Sequence, residues 1–139
     1  MKFAAVLSSA AVAAAAAISK SEATFDISNF SAGCIPHSLN CLINFQVTAN
    51  KANPSLCKAL VPATNGALPT VNDAGCTNST RTFDFVRGPE GFTFSVTEPA
   101  TGIYVRTSSR IIPNSEFEFS NTGNARVEGY TGPSAFALE

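Results

Sequence analysis

Phe83-Asp84-Phe85-Val86-Arg87-Gly88-Pro89-Glu90-Gly91-Phe92-Thr93-Phe94-Ser95-Val96-Thr97 decides the fold class. Phe83 and Phe85 flank Asp84, and Phe92, Phe94 and Val96 alternate with Thr93, Ser95 and Thr97. That period of two is the signature of strands with one buried face. Arg87-Gly88-Pro89-Glu90-Gly91 lies between the runs and supplies turn residues, so the stretch predicts a β-hairpin.

The pattern continues in both directions. Downstream, Glu98 to Gly102 turns the chain into Ile103-Tyr104-Val105-Arg106, and Thr107 to Ser109 lead to Arg110-Ile111-Ile112. Glu116 to Phe119, Arg126 to Glu128 and Ala135 to Leu138 follow, separated by Pro, Asn and Gly. Upstream, Phe25 and Ile27 alternate with Asp26 and Ser28, and Ile43, Phe45 and Val47 alternate with Asn44, Gln46 and Thr48. Cys57 to Val61 reads as a short strand after a turn-like stretch from Ala49 to Leu56. Pro62 to Ser79 reads as one long loop. Turn signals about every ten residues predict a single all-β domain, an antiparallel β-barrel or sandwich of about 8–10 short strands. Its expected inward set is Phe25, Ile27, Ile43, Phe45, Val47, Phe83, Phe85, Phe92, Phe94, Val96, Ile103, Val105, Phe117, Phe119, Val127, Phe136 and Leu138. Eleven Phe and no Trp predict an interior filled by phenyl rings.

The chain has 139 residues, room for one core. Lys2 followed by the Ala-rich run from Phe3 to Ile18 reads as a secretory signal peptide over residues 1–19, cleaved between 17 and 23, with residues 20–139 as the exported domain. The run is too short to span a bilayer. The formal charge of −1 becomes −2 once Lys2 is removed, because no other charge lies in that segment. Such a surface lacks the clustered Lys and Arg that bind nucleic acid, and no basic amphipathic segment suits a membrane surface. Expected partners therefore include neither.

Export places Cys34, Cys41, Cys57 and Cys76 in an oxidising compartment. Four cysteines allow three pairings. Cys34–Cys41 with Cys57–Cys76 is favoured, since each bridge then closes a short, turn-rich loop. Loop-closure entropy gives these roughly 2.5 and 3 kcal/mol of stabilisation. The spacing lacks zinc knuckles, so no metal or other cofactor is expected.

The chemistry for catalysis is sparse. The single His37 lies beside Pro36 and Ser38 in the first disulfide loop and reads as an exposed loop side chain, not a base. Asp84, Glu90, Glu98, Glu116, Glu118 and Glu128 lie on or near strands. Asp84, Glu116 and Glu118 alternate with Phe and so read as outward-facing, which leaves hydrolysis by paired carboxylates as a minor alternative. An apolar ligand cavity inside the barrel is a second alternative. Two glycosylation sequons occur, Asn29-Phe30-Ser31 and Asn78-Ser79-Thr80. Asn78 is the more accessible; Asn29 shares the parity of Phe25 and Ile27 and would face outward only if a bulge intervened.

Phe30-Ser31-Ala32-Gly33-Cys34-Ile35-Pro36-His37-Ser38-Leu39-Asn40-Cys41, following Phe25-Asp26-Ile27-Ser28-Asn29, resembles the N-terminal signature of small secreted fungal proteins that induce the hypersensitive response. These are similar to the Alternaria major-allergen-like family of β-barrels. Phe45-Gln46-Val47 and the later pair Cys57 and Cys76 fit that pattern. The resemblance implies an extracellular, non-enzymatic effector or elicitor that acts in virulence or plant defence by binding a plant extracellular, defence-related protein. The allergen's covalent dimer uses a further cysteine absent here, which leaves only a non-covalent homodimer. The loops Gly33 to Asn40 and Pro62 to Ser79 are the expected contact surface, with Ile35, Pro36, His37, Ser38, Asn65, Asn72 and Asp73 as candidate contact residues.

Overall fold

A computed structural model describes residues 25–49, 52–99 and 105–139. The expected signal peptide and Ile103 lie outside the described residues. Ten strands form: β1 (Phe25–Cys34), β2 (Asn40–Ala49), β3 (Ala52–Pro62), β4 (Val71–Gly75), β5 (Thr82–Gly88), β6 (Gly91–Pro99), β7 (Val105–Pro113), β8 (Phe117–Thr122), β9 (Ala125–Tyr130) and β10 (Phe136–Leu138). They make two antiparallel sheets. One has the order β3-β2-β1-β9-β8, with β10 also paired to β1; the other has the order β4-β5-β6-β7. The all-β expectation holds, realised as a sandwich and not as a closed barrel.

The β5–β6 hairpin is tighter than the five-residue turn expected. Gly88 opposes Gly91, so only Pro89 and Glu90 form the turn. Gly91 has φ 145, and a Cβ there would collide with the carbonyl oxygen of Ile112 on the neighbouring strand. Only glycine serves at this position.

The core lies between the sheets. Phe25, Phe45, Phe83, Phe85, Phe92 and Phe94 are fully buried, as alternation predicts. Phe30 sits at their centre with 3% exposure. Its ring lies 4.8–6.1 Å from those of Tyr130, Phe94, Phe136, Phe45 and Phe85. Simple alternation left Phe30 out of the inward set. The reason is a bulge: the β1–β2 register shifts between Ser28 and Ser31, and Asn29 adopts φ 52. The extra residue turns Asn29 outward and Phe30 inward.

Four expectations are corrected. Asn72 and Asp73 are not in a loop, because β4 runs through the segment expected to be unstructured; Asp73 N donates to Asp84 Oδ1 from a bulge in this strand. β3 is a long strand starting at Ala52, so the turn-like reading up to Leu56 fails where Ser55, Leu56 and Cys57 pair with Val47, Gln46 and Phe45. Thr107 to Ser109 continue β7 without a break. Val105 faces outward, 62% exposed, and Phe119, opposite Glu128 in the register, is still 40% exposed. On β7 the inward positions are Arg106, Ser108, Arg110 and Ile112; Ser108 and Ile112 are buried and Arg106 is bound to Glu98, so only the last inward position is apolar and Val105 and Ile111 mark the outer face. Phe119 is covered instead by the Arg126 guanidinium, 4.0 Å from its ring centre.

Both expected disulfides form. Cys34 and Cys41 are directly opposed on β1 and β2. Cys57 and Cys76 make an isolated bridge joining β3 of the first sheet to the chain just after β4 of the second. Thr77 N donates to Leu56 O at 2.8 Å beside it. On the other side of the sandwich, Ser109 N of β7 donates to Glu139 O just beyond β10.

Candidate binding surface

Three segments far apart in sequence converge at one end of the sandwich. The first is the β1–β2 turn. Ile35 N donates to Asn40 O, Ser38 N donates to Ile35 O, and Ser38 Oγ accepts from Asn40 N. With the Cys34–Cys41 bridge these bonds leave the turn little freedom. His37 takes the left-handed conformation at its apex, with φ 61. Ile35, His37, Ser38 and Leu39 are exposed, Leu39 to 85%. Pro36 is half-buried.

The second segment follows β3. Ala63 N donates to Leu39 O at 2.7 Å, and Thr64 and Ala67 exchange both backbone hydrogen bonds around Asn65-Gly66. Asn-Gly is a strong turn signal, since both residues accept positive φ, and here they have φ 52 and 80. Reading this dipeptide alone would have found the small hairpin inside the supposed loop.

The third segment is the β8–β9 tip. A Cβ on Gly123 would lie 3.5 Å from His37 Nε2, so the imidazole rests against the tip. One on Gly66 would strike the carbonyl oxygen of Arg126, and Gly66 O accepts from Glu128 N at 2.9 Å. The structure therefore brings Ile35, Pro36, His37, Ser38 and Asn65 to one end. Asn72 and Asp73 stay on edge strand β4.

This end is anchored to the core. The Glu128 carboxylate is buried and accepts from Leu68 N at 2.9 Å and from Arg87 Nη2. Arg87 also donates to Leu68 O from Nε and Nη2, and lies 4.5 Å over the Phe92 ring. Glu128 and Arg87 thus clamp the 63–70 segment from both sheets. A groove of about 380 Å³ adjoins the turn, lined by residues that include Phe30, Ile35, Pro36, Leu42 and Tyr130. Tyr130 Oη donates to Pro133 O at 2.7 Å. Burial, then the nearby Glu116 charge and hydrogen bond, push this phenol up to about 12.

The opposite end of β2 carries a polar cleft of about 670 Å³, lined by Pro54, Ser55, Asn78, Ser79, Thr80, Arg81 and Glu98. Arg81 is buried; its Nε donates to Glu98 Oε1 at 2.7 Å, and its Nη1 to Val47 O and Ser55 Oγ. Arg106 donates to the other Glu98 oxygen. Burial raises the Glu98 carboxyl, but the hydrogen bonds and charges of the two arginines outweigh it and hold the group below its ordinary value.

Among the described residues no group of three or more His, Cys, Asp or Glu is placed to hold a metal ion, and no helix is long and apolar enough to cross a membrane. No protein-family model and no curated protein matches the chain.

Proposed function

We propose that the protein acts outside the cell that makes it, as a non-enzymatic binding protein of the fungal effector or elicitor kind that contacts a plant extracellular, defence-related protein. The convergence of the Ile35–Leu39 turn with Asn65 and Gly123 carries this reading. A disulfide and backbone hydrogen bonds hold Ile35, His37 and Leu39 in place, so docking costs little conformational entropy. Exposed Ile35 and Leu39 would form the apolar centre of the contact, and His37, Ser38 and Asn65 its polar rim. The two disulfides suit an oxidising, extracellular setting.

The ring-packed interior favours an outer contact surface over a ligand cavity between the sheets. Glu98 and Glu128 are occupied by arginines, which favours a structural role for them over acid–base work.

Purified protein used as bait in plant apoplastic fluid is expected to retain a defence-related protein, and Leu39→Asp is expected to lose it while keeping the fold. Infiltrated leaves should respond to the parent protein and not to the variant. Equal capture and equal response from both proteins would remove the loop end as the contact surface. Neither capture nor response from the parent would remove the reading itself.

A further inference from the structure

All three residues of the Asn78-Ser79-Thr80 sequon line the polar cleft at the far end of β2. A sequon needs only an exposed turn, and many lie on convex surface. This one forms a wall of a concavity whose volume of about 670 Å³ falls in the roughly 300–1,000 Å³ range of small-ligand sites. The Cys57–Cys76 bridge and the Thr77 N to Leu56 O hydrogen bond pin the turn against β3. They hold exposed Asn78, at φ 53, beside Pro54 and Ser55.

The charges in this cleft are already compensated, since Arg81 and Arg106 share the Glu98 carboxylate. An anion or cation would have to compete with a formed ion pair. What the lining adds is neutral hydrogen bonding from hydroxyls: Ser55 Oγ and Ser79 Oγ already accept from Arg81 and keep their O–H as donors, and Thr80 offers donor and acceptor capacity. Pro54 adds a small apolar surface. That combination suits a neutral, polyhydroxylated ring.

We infer that this cleft seats the innermost sugars of an N-linked glycan carried on Asn78. Asn78 Nδ2 bonds to the anomeric carbon of an oligosaccharide delivered on a lipid pyrophosphate. The sugar–phosphate C–O bond breaks, the lipid pyrophosphate leaves, and Nδ2 gives up one proton. The attached sugars then fold back over Ser55 and the Arg81–Glu98 pair. The inference rests on the extracellular reading, because the modification occurs on the secretory route.

The test is to produce the full chain and its Thr80→Ala variant in a eukaryotic host that adds N-glycans. Medium and cell lysate are both collected, and the tryptic peptide containing Asn78 is weighed. The expected result is a glycan on Asn78 of the secreted protein and none on T80A. Amides of Ser55, Leu56 and residues 78–81 should exchange hydrogen several-fold more slowly in the glycosylated protein than in T80A. An unmodified Asn78 on protein in the medium overturns the inference and leaves the extracellular reading standing. A glycan at Asn78 with equal exchange in the two proteins overturns the seating. Protein found only in the cytosol, without glycan, overturns both. Free diacetylchitobiose that protects these amides in secreted protein with unmodified Asn78 overturns the covalent source, making the cleft a site for saccharides supplied from outside.

Discussion

Arg87 on β5 donates to Glu128 on β9, and this one ion pair ties the two sheets together across the 63–70 segment. Glu128 is buried, whereas Arg87 is partly exposed. Glu128→Ala leaves Leu68 N without its acceptor and Arg87 without its anion. We expect a loss of about 2–4 kcal/mol in denaturant unfolding, toward the lower part of the range for breaking a buried pair because Arg87 is screened by water. Glu128→Gln keeps an acceptor for Leu68 N and should lose less than the alanine variant. Equal stability of parent and both variants would show that the clamp contributes nothing.

Glu98 sets an acid limit. Its carboxyl is held below the ordinary value of 4.5, so the folded state binds its proton less readily than the unfolded chain. The stability this provides is fully present above the ordinary value and is lost as pH falls from there through the lowered value. Melting temperatures measured from neutral to acid pH should fall in that window for the parent. In Glu98→Gln the fall should be shallower and the neutral-pH melting temperature lower.

Tyr130 sets an alkaline limit with the opposite sign. Its phenol titrates at about 12 instead of 10, so the folded state keeps the proton that the unfolded chain gives up. The Tyr130 contribution should be constant below pH 10 and be lost between 10 and about 12. An ultraviolet titration of tyrosinate should show a late-ionising component that vanishes in Tyr130→Phe.

Phe30 is the ring on which five others converge. Phe30→Ala should lose about 3–5 kcal/mol, the usual cost of removing a fully buried phenyl ring. Asn29→Gly should be close to neutral, because glycine accepts the positive φ of the bulge, while Asn29→Val should be destabilising. Chemical denaturation of the three variants checks both the ring and the bulge that places it.

Removing the second disulfide should cost more than removing the first. Cys57–Cys76 spans 19 residues and links the two sheets, whereas Cys34–Cys41 spans 7 within one sheet. Loop entropy predicts losses of about 3 and about 2.5 kcal/mol for the paired alanine variants. Equilibrium unfolding under non-reducing conditions gives the order.

The hairpin from Phe83 to Val96 was legible because its alternation is unbroken and one face is wholly buried. The disulfide pairing was legible because local loops and turn residues favoured one of three choices. Phe30 was not, since a single extra residue at Asn29 reverses parity and alternation has no means to register it. β7 is hard to read because three of its four inward positions are Arg106, Ser108 and Arg110, with Arg106 on Glu98 and Arg110 over the Phe136 ring, and only Ile112 continues an apolar stripe. β4 was hidden because only Val71 of its five residues is buried. At the loop end, His37 and its neighbours were found from the disulfide loop, but their meeting with Asn65 and Gly123 is a product of tertiary packing.

The pairing of β1 with β10 bears on biosynthesis. Phe25 opposes Leu138, and β10 is only three residues long. On a nascent chain β1 can pair with β2 early, but its other side at Phe25 to Ile27 stays open until β10 has been made. Until then Phe25 and Ile27 lack cover on that side, and this sequence-distant pairing closes late. Ribosome stalling or proteolytic trimming that removes Phe136 to Leu138 would leave β1 with an open edge from Phe25 to Ile27, the kind of surface that chaperones retain.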